Sequence, residues 1–465
     1  MNFAKQQLKS DVLKKLFIIL APIGFWYVSL FPAVLTPDSY AVIGYIRSGS
    51  LSGFHTILYE LFVKILSVNG EAIYLVSLVQ ILLNYYALFI TTRFILNYWI
   101  KSDLNPLIMT SALFFTPFFG PISMTIWKDN PHNAFVIIGA VKLLELFVSG
   151  QFIKAQALKI SVLICTISLG VMFRHEAPPA FFILSLILFL LSFILKFFNG
   201  KILLVSAVVS LIVTMISFSG NQLAQGILNT KPVPAYQRTL SLLLDLEYTN
   251  SRYPSTLEER SRKILSEISS GSSLAGAGEC NNPYNFWNPG FDEKAANRYA
   301  SQIPMIWISS MKSNARDTVL SARFCRTAAV HLWPFSKTPT SGYWPTTGIW
   351  PNELGFENPR LTFPMYTLAF AWSYIWGING NVIAWPGLHL SLLVLLGIIL
   401  IRRPQVASGP KIAVLVVISY FLSRGAILFL TTASQEFRYM SGIYFFTAPI
   451  LSAIALKALR RVKNP

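Results

Sequence analysis

Ionisable side chains that could take part in catalysis or binding are concentrated in four short stretches of this chain. They are LTPDSY with Asp38, TIWKDNPHN with Lys128 and Asp129, MFRHEAPP with Arg174, His175 and Glu176, and SQEFRYM with Glu436 and Arg438. A carboxylate can take up a proton, while arginine binds phosphate through a bidentate fork and lysine binds it as a point charge. Together the stretches can supply a base and phosphate-binding cations, provided that the fold brings them to one place.

The elements that must position these residues are membrane-spanning helices. Of the 465 residues, 54% are hydrophobic and 12% charged, and the mean hydropathy is +0.53. Apolar runs of about 18 to 22 residues recur along the chain, as expected of a multi-pass membrane protein. The first run, residues 12–35, exceeds the roughly 7 to 15 residues of a signal-peptide core and is followed by no small-residue cleavage site, so we predict that it is retained.

The hydropathy pattern predicts an all-α protein with ten spans. They are placed near residues 12–34, 72–96, 105–124, 132–149, 159–174, 178–197, 202–219, 383–401, 411–431 and 439–456. The connections near Lys101, Lys154, Lys201 and Arg402, like the C-terminal tail, are basic, so the positive-inside rule makes them and both termini cytoplasmic. Much of the net charge of +18 is then a topology signal rather than a nucleic-acid surface, and we expect no nucleic-acid partner.

This topology places all four charged stretches on the outer face of the membrane. A charged group at membrane depth costs a few kcal/mol unless it pairs or faces water, so their convergence favours a functional cavity. The alternative is that they are ordinary helix ends. Asp38 in particular could be a first-turn acid that the helix dipole favours.

Two helices are predicted in the first outer loop, lying in the membrane interface. The first covers residues 38–47, is entered through Thr36 and Pro37 and ends at Gly49. The second covers FHTILYELFVKIL, where apolar residues recur at helical spacing and predict a stripe that faces lipid, with His55, Glu60 and Lys64 on the polar side.

Three regions follow from these boundaries. Residues 1–219 form a transmembrane region with outer loops at 36–71, 125–132 and 174–178, residues 220–365 form a mainly helical outer domain, and residues 366–465 form a second transmembrane region. A capping box of Ser255 and Glu258 predicts the start of a soluble helix. The aromatic segment 362–381, which contains Gly377 and Gly380, is predicted to be re-entrant or interfacial.

Cysteine and asparagine usage indicate the compartment. Cys280 and Cys325 both lie in the predicted outer domain, and we predict that they form a disulfide in an oxidising exterior. The chain has no Asn-x-Ser/Thr sequon, which favours a bacterial protein over one matured in a eukaryotic secretory lumen. The predicted location is therefore the bacterial inner membrane, with the active face outward.

The arrangement resembles the GT-C glycosyltransferases, membrane enzymes that use polyprenyl-phosphate-linked sugars. The resemblance rests on a first span followed by an outer Asp38, two interfacial helices, the second-loop Asp129 and a late outer domain, and it covers nearly the whole chain as architecture. Residues 305–324, MIWISSMKSNARDTVLSARF, also resemble a Trp-led helical segment of bacterial members, although the usual His-Pro is absent. In such enzymes the first-loop Asp is the catalytic carboxylate, a role that would fall on Asp38.

Sugar transfer from a phosphate carrier needs a base for the acceptor hydroxyl and cations for the departing phosphate. We expect Asp38 to be the base of an inverting reaction, and Asp129 to orient the acceptor or hold a divalent ion such as Mg²⁺ or Mn²⁺. The expected phosphate ligands are Lys128, Arg174 and Arg438, and the expected supporting residues are His55, His175, Glu176 and Glu436. The partners implied are the lipid bilayer, a polyprenyl-phosphate-sugar donor and a glycan or glycolipid acceptor. Whether a metal is required stays open, because the acids and histidines show no ligand spacing.

Two other functions remain open at this point. A polysaccharide polymerase would share the spans and the outward cations, but would rest on arginine and a base elsewhere than at the first span. A transporter of lipid-linked glycans would place its ionisable residues nearer the middle of the membrane and show internal repeats, which this sequence lacks.

Overall fold

Every regular element in the part of the chain that the computed structural model describes is a helix. The described residues are 2–53, 55–152, 156–195, 200–228, 230, 233–270, 280, 290–327, 352–357, 363–383, 385–432 and 437–463. Extended pairing among them is limited to two isolated bridges, Val34 with Thr125 and Ser269 with Phe291. The all-helical class predicted from the sequence is confirmed for these residues.

The helices form a large apolar bundle and a smaller helical domain. Those of the bundle are α1 (Asn2–Ser29), α2 (Pro37–Arg47), α3 (Ile57–Leu66), α4 (Ile73–Phe94, continued by a π-helical turn Ile95–Ile100), α5 (Pro106–Phe114), α6 (Gly120–Met124), α7 (Asp129–Val148), α8 (Ala157–Met172), α9 (Ala177–Ile194) and α10 (Gly200–Ile227). The domain contributes α11 (Leu240–Arg252), α12 (Glu259–Ile268), α13 (Glu293–Tyr299), α14 (Ile303–Lys312) and α15 (Arg316–Arg326). The chain returns to the bundle with α16 (Phe363–Ile383), α17 (Pro386–Arg402), α18 (Ser408–Thr431) and α19 (Tyr444–Lys463).

Seven helical segments within the described residues are long and apolar enough to cross a membrane. They are Asp11–Ser29, Ile73–Ile100, Asp129–Val148, Ala177–Ile194, Gly200–Ile227, Ser408–Thr431 and Met440–Arg460. Each coincides with one of the ten predicted spans. Two more predicted spans correspond to shorter apolar helices, α8 and α17, which share the apolar core of the bundle.

The predicted span at residues 105–124 is not a single helix, because the structure divides it into α5 and α6. Pro117 lacks an N–H and cannot continue a helix, so α5 ends at Phe114. Tryptophan side chains satisfy the carbonyls at the break: Trp26 Nε1 donates to Phe114 at 2.9 Å, and Trp372 Nε1 donates to Phe115 at 2.8 Å. Gly120 begins α6 directly against the Trp26 ring, where a Cβ would overlap the indole. The break is therefore a specific packing feature.

The segment predicted to be re-entrant or interfacial forms a single helix, α16, of 21 residues. At a rise of about 1.5 Å per residue its length is roughly 31 Å, comparable with the hydrocarbon core of a bilayer. It packs against α1. Neither Gly377 nor Gly380 interrupts the helix, so the predicted interruption is not found.

The two helices predicted between the first and second spans are present as α2 and α3. Gly49 follows α2 in the left-handed region with φ +74°, which suits its predicted role as the helix end. The predicted lipid-facing stripe of α3 is found only in part: Ile65 is 73% exposed, but Ile57 of the same stripe is buried, and so is Glu60 on the predicted polar side. The Glu60 carboxylate accepts two hydrogen bonds from Ser52. The Ser52 backbone N–H donates to Oε2 at 2.9 Å, and the Ser52 hydroxyl donates to Oε1 at 2.5 Å. These bonds satisfy a buried polar group and fix the loop before α3.

The helical domain, residues 233–327, has its own apolar core of α11 to α15. Its predicted capping box is not formed, since Ser255 lies in a 3-10 turn, Pro254–Thr256, and α12 begins at Glu259. The domain contains a disulfide between Cys280 and Cys325, the pairing predicted from the sequence.

A buried arginine of the domain joins it to the bundle. The Arg323 guanidinium pairs with Asp245 inside the domain and donates to the carbonyls of Leu430 and Thr432 at the end of α18, both at 3.4 Å. The Ser241 hydroxyl donates to the Leu430 carbonyl as well, at 3.0 Å. A cation at a helix C-terminus is favoured by the helix dipole, so this contact fixes the domain on α18.

Candidate functional site

A short extended contact joins the chain after α1 to the chain before α7. The Val34 N–H donates to the Met124 carbonyl at 3.0 Å, and the Ile126 N–H donates to the Val34 carbonyl at 3.1 Å. This contact brings the segment that leads into Asp38 alongside the segment that leads into Lys128. Two of the four charged stretches are thereby placed side by side.

Side chains strengthen this contact at the start of α2. The Ser39 hydroxyl accepts from the Thr36 N–H at 3.0 Å and donates to the Ile126 carbonyl at 2.9 Å. Trp127 Nε1 donates to the Thr36 hydroxyl at 2.9 Å. We call this set of Thr36, Ser39, Ile126 and Trp127 the α2 clamp. It fixes the direction in which Asp38, in the first turn of α2, points.

Asp38 forms an ion pair with Arg438. The distance between Arg438 Nη1 and Asp38 Oδ2 is 2.7 Å, and the guanidinium lies over the Trp127 ring at 4.7 Å from its centroid. Arg438 is buried, whereas 33% of the Asp38 side chain is exposed. The carboxylate is thus held by a cation and remains accessible to a ligand.

Burial and charge have opposite effects on the acidity of Asp38. Burial alone raises the pKa of this carboxyl, but the positive charges around it, Arg438 foremost and Lys128 among them, outweigh burial and lower the pKa to about 2. His55 also faces Asp38, and burial together with Lys128 lowers the pKa of His55 to about 3. At neutral pH this part of the site therefore holds an ionised carboxylate beside a neutral imidazole.

Lys128 lies between the Asp38 pair and a second charged group. Burial and the nearby Arg174 and Arg438 lower the pKa of its ammonium, against the opposing effect of Glu176 and Asp38. Among the residues that the structure describes, the ammonium makes neither an ion pair nor a hydrogen bond. Lys128 is therefore the cation that an incoming anion can reach without displacing a carboxylate.

The second group is centred on Arg174, which pairs with both Asp129 and Glu176. Asp129 is the first residue of α7 and is 1% exposed. The charges of Arg174 and Lys128 outweigh burial and lower the pKa of Glu176. The carboxylates of Asp129 and Glu176 both face this arginine, and the two ion pairs hold Arg174 in place.

Sequence inspection missed Arg424, a buried cation inside α18. Its Nη2 lies 3.9 Å from Asp129 Oδ1, and its Nη1 donates to His132 Nε2 at 2.6 Å. His132 Nδ1 lies 2.8 Å from the Gly170 carbonyl and donates to it, so the imidazole is the neutral tautomer with Nε2 as acceptor. The available signal was a single arginine in the apolar run ISYFLSRGAILFL, since an ionisable residue within a span is by default a functional candidate.

The structure brings most of the predicted site residues together at one end of the bundle, which we call the site end. At the site end these residues lie in contact or within electrostatic reach of one another. They are Asp38, His55, Lys128, Asp129, Arg174, His175, Glu176 and Arg438. Of these, His175 is exposed and contributes to the lowered pKa of His55. The predicted supporting residue Glu436 lies outside the described residues.

The described residues do not fit a divalent cation of the kind considered from the sequence. Among the described residues, no three or more His, Cys, Asp or Glu side chains come close enough together to hold a metal ion. The carboxylates of Asp38, Asp129 and Glu176 each face arginine instead. We therefore derive no chemical step through Mg²⁺ or Mn²⁺.

Similarity to known proteins adds nothing to this geometry. Protein-family models, curated proteins and solved structures were all compared with the chain, and none of them matches it.

Proposed function

We propose that the protein is a glycosyltransferase that moves a sugar from a polyprenyl-phosphate donor to a cell-surface glycan. The single observation that carries the proposal is an accessible carboxylate, Asp38, held by Arg438 and close to an ammonium, Lys128, that has no partner among the described residues. A base and an available cation at the end of membrane-length helices suit a reaction between a lipid-linked phosphate and a hydroxyl.

The charges of the site favour an anionic ligand. Among the residues that the structure describes, four cations face three carboxylates, namely Lys128, Arg174, Arg424 and Arg438 against Asp38, Asp129 and Glu176. His55 is neutral, so one positive charge is left over. A phosphodiester that links a sugar to a lipid carries one negative charge and would balance it.

In the proposed reaction Asp38 takes the proton of the acceptor hydroxyl. The acceptor oxygen forms a bond to the anomeric carbon from the side opposite the phosphate, so the reaction inverts the configuration. The bond between that carbon and the phosphate oxygen breaks, and its electron pair leaves with the phosphate. Lys128 and Arg438 stabilise the charge that develops there. Asp129 and Glu176 position Arg174 rather than contact the acceptor.

The proposed setting follows from the basic connections between spans. With these in the cytoplasm, the site end and the helical domain face the outside of a bacterial inner membrane, where lipid-linked sugars and surface glycans meet. The position of Asp38 directly after α1 favours a transferase over a polymerase that rests on arginine alone. The position of Asp38 outside the candidate spans favours a transferase over a transporter.

The binding part of the proposal is tested with Lys128→Met, which keeps the length of the side chain and removes its charge. We expect undecaprenyl phosphate to bind about ten- to hundredfold more weakly to this variant, since a charge-assisted contact to the phosphate is lost. Binding is measured as ligand-induced thermal stabilisation in detergent. Lys142→Met is the matched control, because Lys142 lies on α7 as well but pairs with Glu145 at 3.1 Å, away from the site. Equal affinity of Lys128→Met and wild type would remove Lys128 from the proposed phosphate site.

A further inference from the structure

Tyr59 presents a buried hydroxyl group that the fold does not use. The residue lies on α3 and is 1% exposed, and its hydroxyl has no hydrogen-bond partner among the described residues. A buried polar group is nearly always paired, because leaving it unpaired costs free energy. An unpaired hydroxyl at a candidate site is accordingly a position where a ligand can supply the missing partner.

The surroundings of Tyr59 place this hydroxyl within electrostatic reach of Asp38. Burial raises the pKa of the phenol well above its usual value, the negative charge of Asp38 raises it further, and Arg438 opposes the effect. The ring packs edge-on against His55, with 5.6 Å between centroids. Tyr59 is therefore a neutral hydrogen-bond donor on the α3 side of the carboxylate.

The ligand that fits this position is the acceptor rather than the phosphate. Lys128 approaches Asp38 from the start of α7 and Arg438 approaches it from the segment after α18, so both cations lie on other elements than Tyr59. A neutral hydroxyl suits a neutral oxygen. If the Tyr59 hydroxyl donated to the attacking oxygen, it would weaken that oxygen as a nucleophile. The oxygen that Tyr59 binds is therefore a different oxygen of the acceptor, next to the attacking one.

We propose that the Tyr59 hydroxyl binds an oxygen of the acceptor next to the hydroxyl that Asp38 deprotonates. This inference rests on the proposed function and deepens it, because it assigns an acceptor with oxygens on adjacent carbons, as in a carbohydrate. Tyr59 and Asp38 together orient the acceptor for attack. No bond to Tyr59 forms or breaks in the reaction.

Tyr59→Phe tests the inference, because it removes the oxygen and keeps the ring against His55. With glycan extracted from the cell surface as acceptor and an undecaprenyl-phosphate sugar as donor, we expect kcat/KM for the glycan to fall roughly ten- to hundredfold. The KM for the donor should not change. The Tm should not fall either, since the removed hydroxyl has no partner to lose.

The matched control is Tyr85→Phe. Tyr85 is also buried, but its hydroxyl bonds to the Ser111 hydroxyl at 2.7 Å within the apolar core, so this variant should lose stability and keep wild-type kinetics. A Tyr59→Phe protein that transfers like wild type, loses donor affinity instead, or is destabilised like Tyr85→Phe overturns the inference. If wild type itself transfers no sugar, the proposed function fails, which is a different result.

Discussion

At the scale of single residues, the ion pair between Asp38 and Arg438 keeps the proposed base ionised. A carboxyl whose pKa is about 2 is ionised at neutral pH, but it is a weak base while Arg438 holds it. A donor phosphate that draws Arg438 toward itself would strengthen the base. In the proposed reaction, the same arginine links donor binding to proton removal from the acceptor.

This ion pair predicts the pH dependence of the proposed transfer. An acid with a lowered pKa stays ionised until the pH falls close to that value, so kcat/KM of wild type should not fall between pH 7 and pH 5 through Asp38. Arg438→Gln removes the nearest cation. Burial then dominates and raises the pKa of Asp38, so kcat/KM of this variant should fall as the medium is acidified.

The measurement is the initial rate at low donor concentration from pH 5 to pH 8, with each variant normalised to its own maximum. Arg93→Gln serves as control, because Arg93 pairs with Glu145 at 2.9 Å, away from the site end. Identical profiles for wild type and Arg438→Gln would show that Arg438 does not control Asp38.

Residue types and topology were enough to predict much of the candidate site. Asp38, Lys128, Arg174 and Arg438 followed from charges at span ends on one face. Arg424 and His132 were not found, because they are 292 positions apart and only the packing of α7 against α18 reveals the bond between them. Tyr59 was not found either, because an unpaired hydroxyl is a property of the folded structure.

At the scale of elements, the α2 clamp connects two segments of the site. Trp127 donates to the Thr36 hydroxyl and also carries the Arg438 guanidinium on its ring face. The orientation of α2, which bears Asp38, is therefore tied to the position of Arg438. Several elements meet here, so their mutual alignment depends on a few side-chain hydrogen bonds.

We predict that Thr36→Val weakens both the fold and the reaction. The variant has nearly the same shape but leaves the buried indole N–H of Trp127 without its acceptor, at a cost of about 1 to 3 kcal/mol in the free energy of unfolding. Sugar transfer should fall with it as Asp38 and Arg438 lose their alignment. Thermal unfolding and transfer are measured beside Thr36→Ser, which keeps the hydroxyl. Equal behaviour of the two variants would rule out the clamp.

Local sequence signals predicted some elements and missed others for physical reasons. Thr36, Pro37 and Gly49 marked the ends of α2 correctly, because caps and breakers act within a few residues. Pro117 and Pro121 predict a kink near the end of the third span, but the full break between α5 and α6 also depends on Trp26 and Trp372, which come from distant helices. The inward orientation of Glu60 likewise depends on a loop rather than on helical periodicity.

At the scale of the whole molecule, the helical domain is attached to the helix that carries part of the site. Arg323 binds the carbonyls at the end of α18. Arg424 lies on the same helix, seven residues before its last residue, Thr431, which is roughly 10 Å along the helix axis. Arg438 follows in the 3-10 helix Phe437–Ile443. The domain is thus fixed to the helix that carries Arg424 and leads into the segment with Arg438.

The central claim is that Asp38 is the base of a sugar transfer, and one measurement tests it most directly. Proteoliposomes containing wild type or Asp38→Asn are given a panel of undecaprenyl-phosphate sugars and extracted cell-surface glycan, with Asp103→Asn, an exposed acid away from the site, as control. We expect wild type and the control to transfer one of the sugars, and Asp38→Asn to be slower by about 10² to 10⁴ while it still binds undecaprenyl phosphate. Transfer by Asp38→Asn at the wild-type rate would contradict the claim and leave Asp38 as an acid that only stabilises the start of α2.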